Sequence, residues 1–149
     1  MCSAEDSVPR MWPIPWQRGQ AMCMVSASAG RSRDHDRVTR THALGKRFQR
    51  FLLEYDDERS GDFEPLKAVP RGVKVVLGLV TTKFPRLEGA DDLVRRIDEA
   101  SKYVPLDDLA ISPQCGFAST VEGNIITPDD QWRKLDQIIE VSRRVWGDQ

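Results

Sequence analysis

The segment that most constrains the fold is residues 73–80, which read Val-Lys-Val-Val-Leu-Gly-Leu-Val. This run is almost continuously apolar and rich in β-branched side chains. A strand exposed on one face alternates apolar and polar residues, whereas a strand covered on both faces of a parallel sheet is apolar throughout. The run therefore predicts a parallel strand within an α/β protein.

Strand and helix patterns alternate along the chain from residue 51. Phe51 to Leu53 predicts a short buried strand that ends at Glu54, and Leu109 to Ile111 predicts another strand. A helix is predicted before Leu109, because apolar residues recur there at the spacing i, i+3, i+4, i+7. These residues are Ala90, Leu93, Val94, Ile97, Ala100 and Val104. Such alternation predicts parallel strands joined by crossover connections.

The last helix is predicted from its capping signals. Thr127 suits the N-cap, Pro128 suits the first helical position and Gly147 suits the C-cap. The apolar residues between them predict a core-facing side. They are Trp132, Leu135, Ile138, Ile139 and Val145.

Two side chains with metal-binding chemistry follow predicted strands. Glu54 comes directly after the first strand, and Cys115 lies in a turn after the strand that ends at Ile111. The carboxyl ends of parallel strands meet at one edge, so both residues are predicted at that edge although about sixty residues separate them. A carboxylate and a thiolate are both zinc ligands. Judged from its local context alone, a lone cysteine is more often a small core residue.

Two longer motifs resemble the cobalamin-independent methionine synthase family. Residues 112–117 read Ser-Pro-Gln-Cys-Gly-Phe and resemble its last metal-ligand loop. Residues 51–66 read Phe-Leu-Leu-Glu-Tyr-Asp-Asp-Glu-Arg-Ser-Gly-Asp-Phe-Glu-Pro-Leu and resemble its glutamate-ligand loop, in the variant of short, single-domain homologues. Residues 75–81 are similar to the family as well. The resemblance runs from about Phe51 to Trp146.

The resemblance implies a fold, a reaction and a cofactor. The fold is α/β, with residues 51–149 forming the last three βα units of a (β/α)8 TIM-type barrel, incomplete and preceded by an irregular N-terminal segment. The reaction is methyl transfer from a methyltetrahydrofolate-type donor to homocysteine or another small thiol, as in methionine biosynthesis. The cofactor is zinc, bound by Glu54 and Cys115.

The implied zinc site is incomplete in this sequence. The family site is completed by a His-x-Cys pair, and neither His35 nor His42 is followed two residues later by cysteine. We therefore predict that the chain binds zinc weakly or not at all. The competing hypothesis is a catalytically inactive, truncated α/β remnant or an interaction module.

Each charged residue near the implied site has two interpretations. Asp56 and Asp57 are candidates for binding a substrate amine, although acidic loop residues are usually only solvated. Lys83 follows the middle strand and is a candidate for contact with a folate glutamate tail, or is likewise solvated.

Residues 1–50 carry no clear pattern and are left unassigned. They hold nine Lys or Arg against four Asp or Glu, a net charge of +5, whereas residues 51–149 have a net charge of −6. A disordered or non-homologous leader is predicted. A basic arm that binds phosphate or nucleic acid is the alternative, but aromatic interleaving and a recognised module are missing. A further hypothesis is an out-of-frame translation of a barrel segment, which translation of the upstream nucleotides in the other frames would test.

Composition bears on compartment and partners. Three cysteines without framework spacing indicate a reducing compartment, and a cytoplasmic protein is predicted. No apolar run reaches the length needed to span a bilayer. The overall charge of −1 gives no bulk attraction to nucleic acid or membranes, so neither is expected as a partner.

Overall fold

The computed structural model describes residues 22–25, 49–57, 60–117 and 125–147. These residues contain a four-stranded parallel sheet in the order β1-β2-β3-β4 and two α-helices. The strands are β1 (Met22–Val25), β2 (Arg50–Glu54), β3 (Lys74–Val80) and β4 (Leu109–Pro113). The helices are α1 (Ala90–Ser101) and α2 (Pro128–Trp146), and Glu64–Ala68 and Leu106–Asp108 form short 3-10 helices.

The strand register sorts side chains onto two faces of the sheet. Directly paired residues of parallel strands project to the same face, and successive residues project to opposite faces. The first face carries the pairs between Phe51 and Val75, between Leu53 and Leu77, and their partners on β4. We call the opposite face the second face. It carries Leu52, Val76 and Ala110 in one row and Glu54, Gly78 and Ser112 in the next.

The hydrophobic core lies between the first face and the two helices. Leu93 and Ile97 of α1 and Val141 of α2 are buried there against the strand side chains. The two rows named on the second face are not part of this cluster, whereas Val80, beyond the irregular register of β3, belongs to it. Full burial of a Leu or Ile side chain contributes about 1.5–3 kcal/mol, so this layer accounts for most of the stabilisation.

The ends of α2 follow its sequence. Thr127 is the N-cap: its hydroxyl accepts a hydrogen bond from the Asp130 backbone N–H, and the Asp130 carboxylate accepts one from the Thr127 backbone N–H. Gly147 ends the helix with φ of 79°, a value that glycine adopts without strain. The predicted N-cap, first helical residue and C-cap are confirmed.

The predicted core face of α2 is partly wrong. Trp132 is 66 % exposed, whereas Lys134, Gln137 and Val141 are the buried residues of this helix. Ile138 and Val145 pack against the core, as predicted. Apolar content alone does not decide which side of α2 is buried, because the loop before α1 presents hydrogen-bond acceptors to Lys134 and Gln137.

The predicted α/β class with parallel strands is confirmed, and the strands predicted near residues 51, 73 and 109 are present. Strand β1 was not predicted, and it pairs in register with β2 along Met22–Val25. The four strands lie side by side in chain order, an arrangement compatible with part of a barrel, while barrel closure stays a prediction. No described helix is both long enough and apolar enough to cross a bilayer.

Candidate metal site at the carboxyl-terminal edge of the sheet

Glu54 and Cys115 lie at the same edge of the sheet. Glu54 is the last residue of β2, and Cys115 follows Pro113, the last residue of β4, by two positions. Both side chains are half-buried, and the thiol of Cys115 is not in a disulfide. Because β2 and β4 are parallel and flank β3, their carboxyl ends point the same way. A joint role of the two residues in metal binding stays a prediction.

Gly78 separates the two segments that carry these residues. It pairs with Glu54 on one side and with Ser112 on the other. A Cβ atom built at Gly78 would lie 3.0 Å from Gln114 Cα and 3.1 Å from the Leu53 carbonyl oxygen. Real Cβ atoms rarely have backbone neighbours this close, so any larger residue would have to displace these neighbours by a few tenths of an ångström.

The chain after β4 is held against the end of β3. The Gln114 N–H donates to the Val80 carbonyl at 2.7 Å, and the Gln114 side-chain oxygen accepts a hydrogen bond from the buried Thr82 hydroxyl at 3.2 Å. The β3–β4 register is shifted between Gly78 and Val80, as in a β-bulge. A bulge re-aims the strand that follows it, here the segment leading to Cys115.

Asp56 and Asp57 come together around one cation. The ammonium of Lys83 lies 3.0 Å from a carboxylate oxygen of Asp56 and 3.3 Å from one of Asp57. The Asp56 side chain is 3 % exposed, so it is not merely a solvated acid. Burial lowers the pKa of Lys83, but the hydrogen bonds and charges of Asp56 and Asp57 outweigh it and raise the pKa above its ordinary value.

The loop between β3 and α1 is anchored to α2 through Glu88. The Glu88 carboxylate accepts a hydrogen bond from the Thr81 N–H at 2.9 Å and pairs with the Lys134 ammonium at 3.2 Å. Lys134 is fully buried and also donates to the Arg86 carbonyl at 2.6 Å. This contact fixes the loop that carries Lys83 at the carboxyl-terminal edge.

The donor set fits zinc in kind but not in number. A carboxylate and a thiol are suitable zinc ligands, and zinc sites are usually four-coordinate. Within the described ranges, no group of three or more His, Cys, Asp or Glu side chains is placed to hold a metal ion. Two donors such as Glu54 and Cys115 would make only half of a tetrahedral set.

The contacts of Gly78 and Gln114 were not predicted from the sequence. The signal at Gly78 was present, since an isolated glycine within an otherwise β-branched strand indicates a bulge or a close backbone approach. Gln114 gave no such signal, because its contacts depend on where the loop after β4 folds.

Comparison with known proteins identifies the family. The model of the cobalamin-independent synthase catalytic domain matches residues 51–128, just over half of the chain. Two uncharacterized proteins of Bacillus subtilis strain 168, YxjG and YxjH, are 53 % and 46 % identical over 130 residues, which is 87 % of this chain and 33 % of each relative. A methionine synthase of Pyrococcus abyssi is 34 % identical over 71 residues, 48 % of this chain and 21 % of that protein.

The matches cover different shares of this chain and of its relatives. The chain spans about a third of the length of the Bacillus relatives. The 130 matched residues exceed the 99 residues from Phe51 to Gln149, so they include part of the first fifty, the region in which β1 lies. The predicted domain boundary at residue 51 is also where the family model begins, and it stays a prediction. On the strength of the family match, the chain belongs to the cobalamin-independent synthase catalytic-domain family.

Proposed function

We propose that this chain contributes two zinc ligands, Glu54 and Cys115, to a thiol S-methyltransferase of the cobalamin-independent methionine synthase type. The proposed reaction resembles that of 5-methyltetrahydropteroyltriglutamate–homocysteine methyltransferase, with homocysteine or another small thiol as acceptor. The single observation that carries the proposal is that a carboxylate ends β2 and a thiol follows β4 by two residues, at the same edge of the sheet and on either side of β3. Family membership adds support for the reaction class.

The residues of the chain have different roles in this proposal. Glu54 and Cys115 are the donors, and Gln114 and Thr82 fix the loop that leads to Cys115. When bound at such a site, zinc holds an acceptor thiol in its deprotonated, nucleophilic form. Lys83 balances the charge of Asp56 and Asp57 beside the donors, so a substrate amine approaching these carboxylates has to displace its ammonium.

The first experiment measures metal binding by the full chain in competition with a mild chromophoric chelator. We expect weak zinc binding that weakens further by more than about tenfold in Glu54→Gln and in Cys115→Ser, since each change removes a direct ligand. Glu140→Gln, an exposed change on α2, is the matched control and should leave the affinity unchanged. Equal affinities in all four proteins would contradict the proposed ligand pair.

The alternative is a catalytically inactive member of the family. It is favoured by the absence of a His-x-Cys pair from the sequence, which leaves two of the four expected ligands unassigned. An assay for methionine formation from homocysteine and a methyltetrahydrofolate donor separates the two. Activity that is lost in Cys115→Ser supports the methyltransferase, and zinc binding without activity supports the inactive form.

A further inference from the structure

We infer that Gly78 is the positioning residue of the proposed site, because its missing side chain allows the loop that carries Cys115 to approach Glu54. The inference rests on the proposed function and adds a residue that sets the geometry of the proposed site. It concerns the distance between the two donor segments rather than the donors themselves.

Sheet geometry alone would keep the two donor segments apart. Glu54 and Ser112 lie in the same row of the second face, with Gly78 between them. Two strand spacings correspond to roughly 10 Å. Two ligands of one zinc ion must lie within about 4 Å of each other, given metal–ligand bonds near 2.0–2.3 Å. A segment must therefore cross the end of β3 for Cys115 to reach Glu54.

The chain makes this crossing over Gly78. After the irregular register at Gly78 and Val80, the Gln114 N–H bonds to the Val80 carbonyl, and Gln114 Cα lies 3.0 Å from the position that a Cβ atom of residue 78 would take. The Cβ direction of Gly78 is that of the second face, on which Glu54 also projects. The segment before Cys115 thus packs closely over Gly78, between Ser112 and Glu54.

The atoms nearest to the absent Cβ belong to both donor segments. They are Gln114 Cα at 3.0 Å, the Leu53 carbonyl oxygen at 3.1 Å and the Pro113 carbonyl oxygen at 3.4 Å. Leu53 directly precedes Glu54, and Gln114 directly precedes Cys115. All three atoms are backbone, so no side-chain rotation can relieve the contact, and a methyl group at residue 78 would push the two segments apart.

The remaining space at this point is small. A cavity of about 20 Å³ is lined by residues of β2, β3 and the end of β4, including Glu54, Gly78 and Gln114. A methyl group added at residue 78 contacts backbone on both sides before it can use this space. We therefore expect a single methyl group added at residue 78 to shift the segment that carries Cys115.

Disulfide trapping tests the inference without metal. In a full chain carrying Cys2→Ser, Cys23→Ala and Glu54→Cys, the cysteine introduced at position 54 should form a disulfide with Cys115 on mild oxidation, detected by non-reducing peptide mapping. Adding Gly78→Ala should slow its formation by roughly tenfold or more, because disulfides require Cα atoms within about 7 Å. Gly116→Ala is the matched control, since a Cβ there meets nothing within 4 Å.

The outcomes separate this inference from the proposed function. A disulfide that forms equally fast with Gly78→Ala overturns the role of Gly78 and leaves the ligand pair standing. Failure to form any disulfide with Gly78 in place, while Cys115 remains reactive to a small alkylating agent, overturns both. Slowing by Gly78→Ala but not by Gly116→Ala, at an unchanged unfolding midpoint, supports the inference.

A second measurement covers the case in which Gly78→Ala does not fold. In the unsubstituted chain, NMR should show a strong nuclear Overhauser contact between the Hα atoms of Gly78 and the Hα of Gln114, since Gln114 Cα lies beside the vacant Cβ position. Presence of this contact supports the crossing. Its absence, with both resonances assigned, overturns the inference.

Discussion

The two faces of the sheet carry different kinds of side chain. On the first face β2, β3 and β4 contribute buried apolar residues, such as Phe51 and Leu77, which form one core cluster with residues of both helices. On the second face the row nearest the carboxyl-terminal edge holds a carboxylate, a glycine and a hydroxyl, at Glu54, Gly78 and Ser112. Successive residues of one strand therefore belong separately to the core and to the proposed site, because the side-chain period of a strand is two.

The two faces should tolerate substitutions to different degrees. Close packing on the first face means that a lost methylene leaves a cavity, whereas half-buried residues on the second face have solvent nearby. The proposed site lies on the less packed side, at the edge where loops rather than helices surround it. Four predictions probe this division, beginning with the residue that links the two regions.

The largest effect is expected for Lys134→Ala. The buried ammonium joins α2, in the packed layer, to Glu88 and the Arg86 carbonyl in the loop at the carboxyl-terminal edge. Its removal leaves a partly buried carboxylate without its cation and should reduce the free energy of unfolding by about 3 kcal/mol or more. Chemical denaturation measures this. The exposed Lys102→Ala is the control, and equal midpoints for the two variants would refute the coupling.

The next largest effect is expected for Leu77→Ala on the first face, and it is compared with Leu52→Ala on the second face of the neighbouring strand. Leu77 on β3 faces the helices and is fully buried, so Leu77→Ala should cost roughly 2–5 kcal/mol of unfolding free energy. Leu52 on β2 lies on the second face and is half-buried, so Leu52→Ala should cost clearly less. Thermal and urea unfolding of both variants test the comparison, which fails if Leu52→Ala costs as much as Leu77→Ala.

A smaller effect is expected for Lys83→Met at the edge itself. Asp56 is buried and loses its cation, but Lys83 is 39 % exposed, so solvent screening limits the cost to about 1–2 kcal/mol. Because the folded-state pKa of Lys83 is raised above its ordinary value of 10.5, this contribution is complete below pH 10.5 and is lost as the pH rises through the higher folded-state value.

Unfolding free energies of the parent and Lys83→Met proteins, measured across the alkaline range, check this prediction. The difference between the two should be constant through neutral pH and should shrink only above pH 10.5. A difference that disappears between pH 6 and pH 9 would show that a group other than Lys83 is titrating.

The smallest effect is expected at the start of α2. Thr127→Ala removes the capping hydroxyl and should cost about 1 kcal/mol, while Thr127→Ser should retain most of it. The pKa of Asp130 is lowered by its hydrogen bonds to the Thr127 side chain and backbone. That contribution is therefore present above the unfolded-state pKa of the carboxyl and is lost as the pH falls through the folded-state value. A cost of Thr127→Ala that grows in acid would contradict this assignment.

Much of the local structure was predictable from the sequence. Pro128 and Thr127 fix the start of α2 through φ restriction and side-chain capping, both of which act within a few residues. The strand at Lys74–Val80 follows from a run of β-branched residues. The positions of Glu54 and Cys115 at one edge followed from parallel strand polarity. Their motifs also pointed to the family that the comparison identifies.

Other features depended on contacts between distant parts of the chain. The strand Met22–Val25 was not predicted, since four residues carry little periodicity and its pairing with β2 supplies its hydrogen bonds. Trp132 was placed in the core on apolar character, yet it is exposed, and Lys134 is buried instead. The reason is that burial of a lysine needs acceptors 46 to 48 residues away, which no local pattern encodes.

Backbone preferences and residue types act over short distances, and they fix the strand and helix segments after residue 50, their polarity and the chemical identity of the two candidate donors. Two further contacts form only in the folded protein: Gln114 packs over Gly78 at the end of β3, and Lys83 lies between Asp56 and Asp57. Those contacts join segments far apart in the chain, and their geometry exists only once the strands have paired.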